Sequence, residues 1–156
     1  MVNLKWYYLC DLENSVAIEY IQIPQVWGNV TGLADVDEVT LADMAWSNNL
    51  GKGFLTEEKA IELNIDSLTM QKVKELGAEV QKVKVIAYRD ALLKASDSSV
   101  TIDRWETYDS SKKATISNYR QELRDITNTS NIFNIQWPEI PIELEYLKEI
   151  EKPLDV

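Results

Sequence analysis

Tyr119-Arg120-Gln121-Glu122-Leu123-Arg124-Asp125-Ile126 decides how this chain is read. Ile116, Tyr119, Leu123 and Ile126 recur at the three- and four-residue steps of one helix face. Asp109-Ser110-Ser111 supplies N-cap oxygens before it, and Asn128-Thr129-Ser130-Asn131 closes it. Arg120 and Arg124 fall four apart on a neighbouring strip of the same helix. Trp137-Pro138-Glu139-Ile140-Pro141 follows as an extended segment, in which Pro138 fixes the turn that aims Trp137.

Upstream, an amphipathic pattern begins near Asp66 and runs to about Ala95. Val73, Leu76, Val80, Val83 and Ala87 form an apolar seam in alternating steps of three and four. We read this seam as facing the core. A coiled-coil contact between copies is the alternative, although three heptads are barely enough for one. Gly77 inside the helix costs roughly 1 kcal/mol relative to alanine. Residues 96–109 are polar and turn-rich, with Trp105 and Tyr108 inserted. Two helices joined this way make an αα-hairpin. A guanidinium pairing of Arg120 or Arg124 with Asp97, Asp90 or Asp125 would lock it in register, since arginine's planar fork grips a carboxylate. Arg89 belongs to the first helix, and Trp137 would fold back across the pair.

The N-terminal third reads differently. Residues 5–10 and 16–23 are rich in aromatic and β-branched side chains, with turn chemistry at residues 11–15, so a β-hairpin is predicted. In the second arm Val16, Ile18, Tyr20 and Gln22 should face one way and Ala17, Glu19, Ile21 and Ile23 the other, with partial cover on both sides. Pro24 ends that arm. Residues 24–33 read as a loop anchored by Trp27. Asp37 can cap a short helix over 38–46, where Leu41 and Met44 share a face. Asn48-Asn49-Leu50-Gly51-Lys52-Gly53 reads as a turn, and Thr56 caps a helix opened by Glu57 and Glu58. The expected class is therefore α+β: a β-rich lobe over residues 1–62 (a hairpin plus short helices), a helical domain over 63–141 and an acidic tail over 142–156. That tail is either a short docked helix or mobile.

Composition narrows the chemistry. The chain has 156 residues and a formal net charge of −10. Such a field repels phosphate backbones and anionic membranes, so neither nucleic acid nor a membrane is an expected partner. No signal-peptide pattern or bilayer-length apolar run is visible. There is no histidine, which removes the commonest general base and metal ligand. The single cysteine, Cys10, reads as a buried inert thiol in a chain suited to a reducing cytoplasm. Asp35 with Asp37 and Glu57 with Glu58 read as solvated or helix-start acids rather than a catalytic pair. No enzyme activity, metal or cofactor is expected.

One resemblance gives these elements a function. Tyr88, Arg89, Asp90, Leu92, Leu93, Ser96 and Asp97, then Tyr119, Arg120, Leu123, Arg124, Asp125 and Ile126, then Trp137, Pro138 and Pro141 occur in order and at similar spacing. Over residues 88–141 the chain resembles phage tail-fibre assembly proteins, also called tail assembly chaperones. One departure is Ser98, where the family usually has tryptophan; Trp105 is a candidate replacement. Pro24, Trp27, Asn29, Leu33, Leu41 and Trp46 add a fainter likeness to an N-terminal segment of related phage proteins. The resemblance implies a chaperone that binds a tail fibre or baseplate protein in the host cytoplasm and assists its folding or trimerisation, with retention on the virion as a further expectation. A permanent fibre or baseplate subunit is the alternative. The fold-signature or partner-binding residues it implies are Arg89, Asp97, Tyr119, Arg120, Leu123, Arg124, Asp125, Trp137, Pro138 and Pro141. The aromatics Trp6, Tyr7, Tyr8 and Trp27 are a second candidate contact surface, with core packing as their other reading.

Overall fold

The computed structural model describes residues 4–24 and 52–156. The loop at Trp27, the helix over 38–46, the acids Asp35 and Asp37 and the fainter N-terminal likeness lie outside the described residues, apart from Pro24, which ends its strand. Two compact units divide between Glu79 and Val80. The class is α+β, with a three-stranded antiparallel sheet followed by helices.

In the first unit β1 (Leu4–Asp11) pairs with β2 (Val16–Pro24) as the predicted hairpin. Asp11 builds its turn: the carboxylate accepts from the backbone N–H of Glu13 and Asn14 at 3.0 and 3.1 Å. Ser15 closes the turn at φ 54°, in the left-handed region that a non-glycine residue enters at a cost. A third strand, β3 (Lys52–Leu55), pairs with the other edge of β1, giving the order β2-β1-β3. Lys52 and Gly53 are thus strand rather than turn. The stretch lacks turn geometry there because Cys10 lies opposite Gly53 and Phe54 opposite Leu9 in the ladder.

The even alternation expected along β2 does not hold. The register slips between Leu9 and Cys10, so that Leu9 faces Glu19 while Cys10 faces Ala17. Ile18 is the extra residue and is exposed. A bulge reverses side-chain parity, so Tyr20 and Ala17 join one cluster although they are three apart. That cluster contains Tyr8, Cys10, Ala17, Leu55, Ala60, Ile65 and Met70. Tyr7 and Phe54, with Leu9 and Ile21 against them, pack on the opposite side of the sheet. Tyr7 and Tyr8 are therefore core residues, while half-buried Trp6 lies 5.1 Å from Tyr20 between ring centroids.

Helix α1 (Glu57–Glu62) begins where predicted, with Thr56 Oγ1 accepting from Lys59 N at 3.3 Å. Helix α2 (Ser67–Ser96) follows. Its burial pattern corrects the sequence reading: Leu76, Val80 and Val83 are 54%, 60% and 69% exposed, and Ala87 is exposed too. The buried positions in this half of α2 are Gln81, Val85, Tyr88, Leu92 and Ser96. Two apolar registers coexist on this helix. The core takes the one carrying Tyr88 and Leu92, whose larger side chains bury more apolar area per residue than Val or Ala.

In the second unit a 3-10 turn (Asp97–Ser99) and a short helix, α3 (Ile102–Trp105), lead to α4 (Ser110–Asp125). Asp109 caps α4, its carboxylate accepting from Lys112 N at 2.7 Å. Ile116, Tyr119 and Leu123 are buried, as their spacing predicts. Of the two fates open to residues 142–156, docking describes the first part: Ile142–Glu149 forms 3-10 helix and buries Leu144 and Leu147 completely. No helix among the described residues is long and apolar enough to cross a membrane.

Candidate functional site

The second unit's core gathers three separated stretches of chain. Tyr88 and Leu92 come from α2, Ile116, Tyr119 and Leu123 from α4, and Leu144 and Leu147 from the 3-10 segment. Trp105, Tyr108 and Trp137 pack around them. Trp137 meets Tyr88 edge to face, with centroids 4.8 Å apart and planes at 78°, a favourable aromatic geometry. Burial raises the Tyr119 hydroxyl to about 12, with the nearby Tyr88 and Glu122 adding to it. That ring therefore stays neutral at any physiological pH.

Arg120 does more than pair with an acid. Its Nη2 donates to Asp97 Oδ1 at 3.0 Å, which selects Asp97 from the three carboxylates open to it. Its Nη1 donates to the Leu93 carbonyl at 3.1 Å and to Ser96 Oγ. Ser96 Oγ donates in turn to the Leu93 carbonyl at 2.7 Å. The last carbonyls of a helix have no partner within it, and the negative end of its dipole favours a cation. Arg120 thus caps the C-terminus of α2 from α4. Its side chain is only 13% exposed.

The remaining signature residues lie further out. Arg89 pairs with its neighbour Asp90 at 2.8 Å. Arg124 donates to Gln121 Oε1 at 3.4 Å, and Gln121 donates to both carboxylate oxygens of Asp125 at 3.1 Å. The Arg89–Asp90 pair lies within α2 and the Arg124–Gln121–Asp125 chain runs along α4, so neither joins two elements. The Pro141 carbonyl accepts from Leu144 N at 2.9 Å at the start of the 3-10 segment.

Two grooves flank α4. The larger, of about 760 Å³, is lined by Ile102, Trp105, Asn118, Arg120, Gln121 and Arg124 among others. The smaller, of about 400 Å³, is lined by Glu122, Asp125, Ile126, Asn134, Ile135 and Pro138 among others. Ile102 stands 74% exposed at the larger groove. The sequence pointed to neither Ile102 nor the groove, because only the chain's turn at residues 97–105 brings that side chain beside α4. Lys113 lies over the Trp105 ring, 6.0 Å from its centroid.

The acid pair Glu57 and Glu58 is exposed in the first turn of α1, where the helix dipole favours carboxylates. Among the described residues, no group of three or more acids or thiols is placed to hold a metal ion. Burial pushes the Cys10 thiol up to about 12, which keeps it protonated and unreactive at neutral pH.

Residues 82–142 match the family described as phage tail assembly chaperone protein. The matched window holds the C-terminal part of α2, all of α4 and the Trp-Pro segment, and it leaves the sheet outside. The match supports a chaperone role in tail assembly. No curated protein and no solved structure matches the chain significantly.

Proposed function

We propose, from the premise that residues 82–142 carry the phage tail assembly chaperone signature, that this protein is a non-catalytic helper for a phage tail fibre. It would hold the fibre chain at the larger groove of the second unit until the trimer closes. The observation that carries this reading is how the signature helix divides its duties. Tyr119 and Leu123 are buried, and Arg120 is committed to the end of α2. Arg124 is left beside exposed Ile102 and half-buried Trp105 on a groove wall. Tryptophan and arginine are enriched where binding energy concentrates. Long β-rich fibres depend on non-local pairing, fold slowly and expose apolar surface before assembly. A groove in which Val100, Ile102 and Trp105 lie beside polar residues, Glu106 and Arg124 can shield such surface without a nucleophile or cofactor, which is the role we assign to it, in the infected cell's cytoplasm.

The test is co-expression with the tail-fibre subunit of the same phage, reading the yield of soluble trimer. This protein should raise that yield. Ile102→Asp and Arg124→Glu should remove the gain while leaving the variant's own melting temperature within about 0.5 kcal/mol equivalent of the parent, as surface changes do. Equal trimer yield without the protein ends the proposal. Mass analysis of washed virions then separates the two fates: stoichiometric presence makes it a retained subunit, and absence makes it a transient helper.

A further inference from the structure

We propose that the cleft beneath Leu144 and Leu147 is a binding site for a leucine-bearing segment of a partner protein, and that residues 142–150 occupy it as a displaceable strap. The walls and the filling come from different parts of the chain. Tyr88, Leu92, Tyr119 and Leu123 surround the two leucines from α2 and α4, and they lie inside the matched window of residues 82–142. Leu144 and Leu147, which fill the space between them, are fully buried and lie outside that window. The signature thus specifies a receptive apolar cleft and not its occupant. These walls are not the residues of the larger groove, so the inference stands apart from the fibre site proposed there.

The strap fits this cleft imperfectly. It is 3-10 helix, whose hydrogen bonds are poorer than those of an α-helix, and Leu144 interrupts it at φ −122°, ψ 27°. Its backbone bonds at either end are local: Leu144 N donates to the Pro141 carbonyl at 2.9 Å and Ile150 N to the Leu147 carbonyl at 3.0 Å. Among the described residues, the side-chain hydrogen bond that ties it to another element joins Tyr146 Oη and Ser99 Oγ at 2.5 Å. In the same core, the hydroxyl of Tyr119, a residue only 4% exposed, and Trp137 Nε1 are bonded to no other protein group. Closing a core over unbonded polar groups is costly, so an occupant that brings an acceptor is preferred. The partner this describes is a short α-helical segment with two leucines three or four residues apart and a polar acceptor beside them. The tether favours the chain's own cleft over that of a second copy. Trp137 is held on Tyr88, and residues 138–141 can lead the strap no further than about 14 Å from it.

Two measurements on the full chain test this. In native-state hydrogen exchange, the amides of Leu144 and Ile150 should exchange at least about a hundredfold faster than that of Leu123 in α4, because the strap opens without unfolding the unit. Equal protection overturns the proposal, since the strap would then open only with the whole core. The second measurement uses a fluorescent peptide of residues 139–152 as the probe. Leu147→Asp, which releases the strap, should bind this peptide at least about tenfold more tightly than the parent does, because the closed state no longer competes. A peptide carrying Leu144→Ala and Leu147→Ala should bind neither chain. Equal binding by parent and variant overturns the proposal, and so does a Leu147→Asp chain that has lost its cooperative melt. A parent chain whose dimers the free peptide dissolves also overturns it, because a second copy's strap would then be the occupant.

Discussion

The two units solve one problem in different ways. In the first, the register of β1 against β2 and β3 is written in backbone ladder bonds. Side chains there need only be apolar, of fitting size and on the correct face. In the second, α2 and α4 share a core but no ladder. Apolar contacts are non-directional, so helices packed by them alone can slide. Arg120 removes that freedom by reaching one carbonyl, one hydroxyl and one carboxylate at the end of α2. The contrast explains why a recognisable signature resides in the helical unit: where no ladder sets the register, particular side chains must.

The largest expected effect tests the part the units have in common. Leu123→Ala and Leu55→Ala each empty a fully buried position and should cost about 2–5 kcal/mol. Chemical denaturation followed by tryptophan fluorescence would measure both losses. Next comes the distinction itself. Arg120→Met keeps the aliphatic stem but abandons Leu93, Ser96 and Asp97, and should cost about 1–3 kcal/mol. Asp97→Asn should cost less than about 1 kcal/mol, because that carboxylate is 63% exposed and screened by water. If the two losses prove equal, the ion pair rather than the helix cap sets the register, and the contrast between the units weakens.

The smallest effect is alkaline. Tyr119 and Cys10 are both held neutral by burial, each up to about 12. Each therefore favours the folded state below its ordinary value, 10.0 for the tyrosine and 9.0 for the thiol. That contribution fades as pH rises towards the folded values. Melting temperature should fall from about pH 9 upwards. Cys10→Ala should flatten the first part of the decline and leave the part above pH 10, which Tyr119 shares with Tyr8, Tyr20 and Tyr88, all raised by burial; an unchanged profile would clear the thiol of any role.

These particulars show how far the residues could be read unaided. The α4 face was legible because Ile116, Tyr119 and Leu123 coincide with a capped segment of a single period. The hairpin was legible from its turn chemistry. The bulge was not, since apolar residues stand on both sides of Ile18 and either parity fits. Strand β3 hid in a stretch rich in Asn and Gly, and pairing rather than propensity makes it a strand. The α2 seam misled because two apolar registers share one helix, and only the partner side chains of α4 decide which is buried. The Arg120–Asp97 pair could be anticipated from charge; its grip on Leu93 and Ser96 could not, because it depends on where α2 stops.

The irregularity in the hairpin has a use beyond side-chain parity. Ala17, beside the extra residue, sends its N–H to Thr69 Oγ1 at 2.9 Å, and the Ser15 carbonyl receives Asp66 N at 2.7 Å. Both bonds moor the opening turn of the longest helix to the hairpin's bend. Shortening β2 by the one surplus residue would thus cost more than tidiness: it would cast that helix loose at its root.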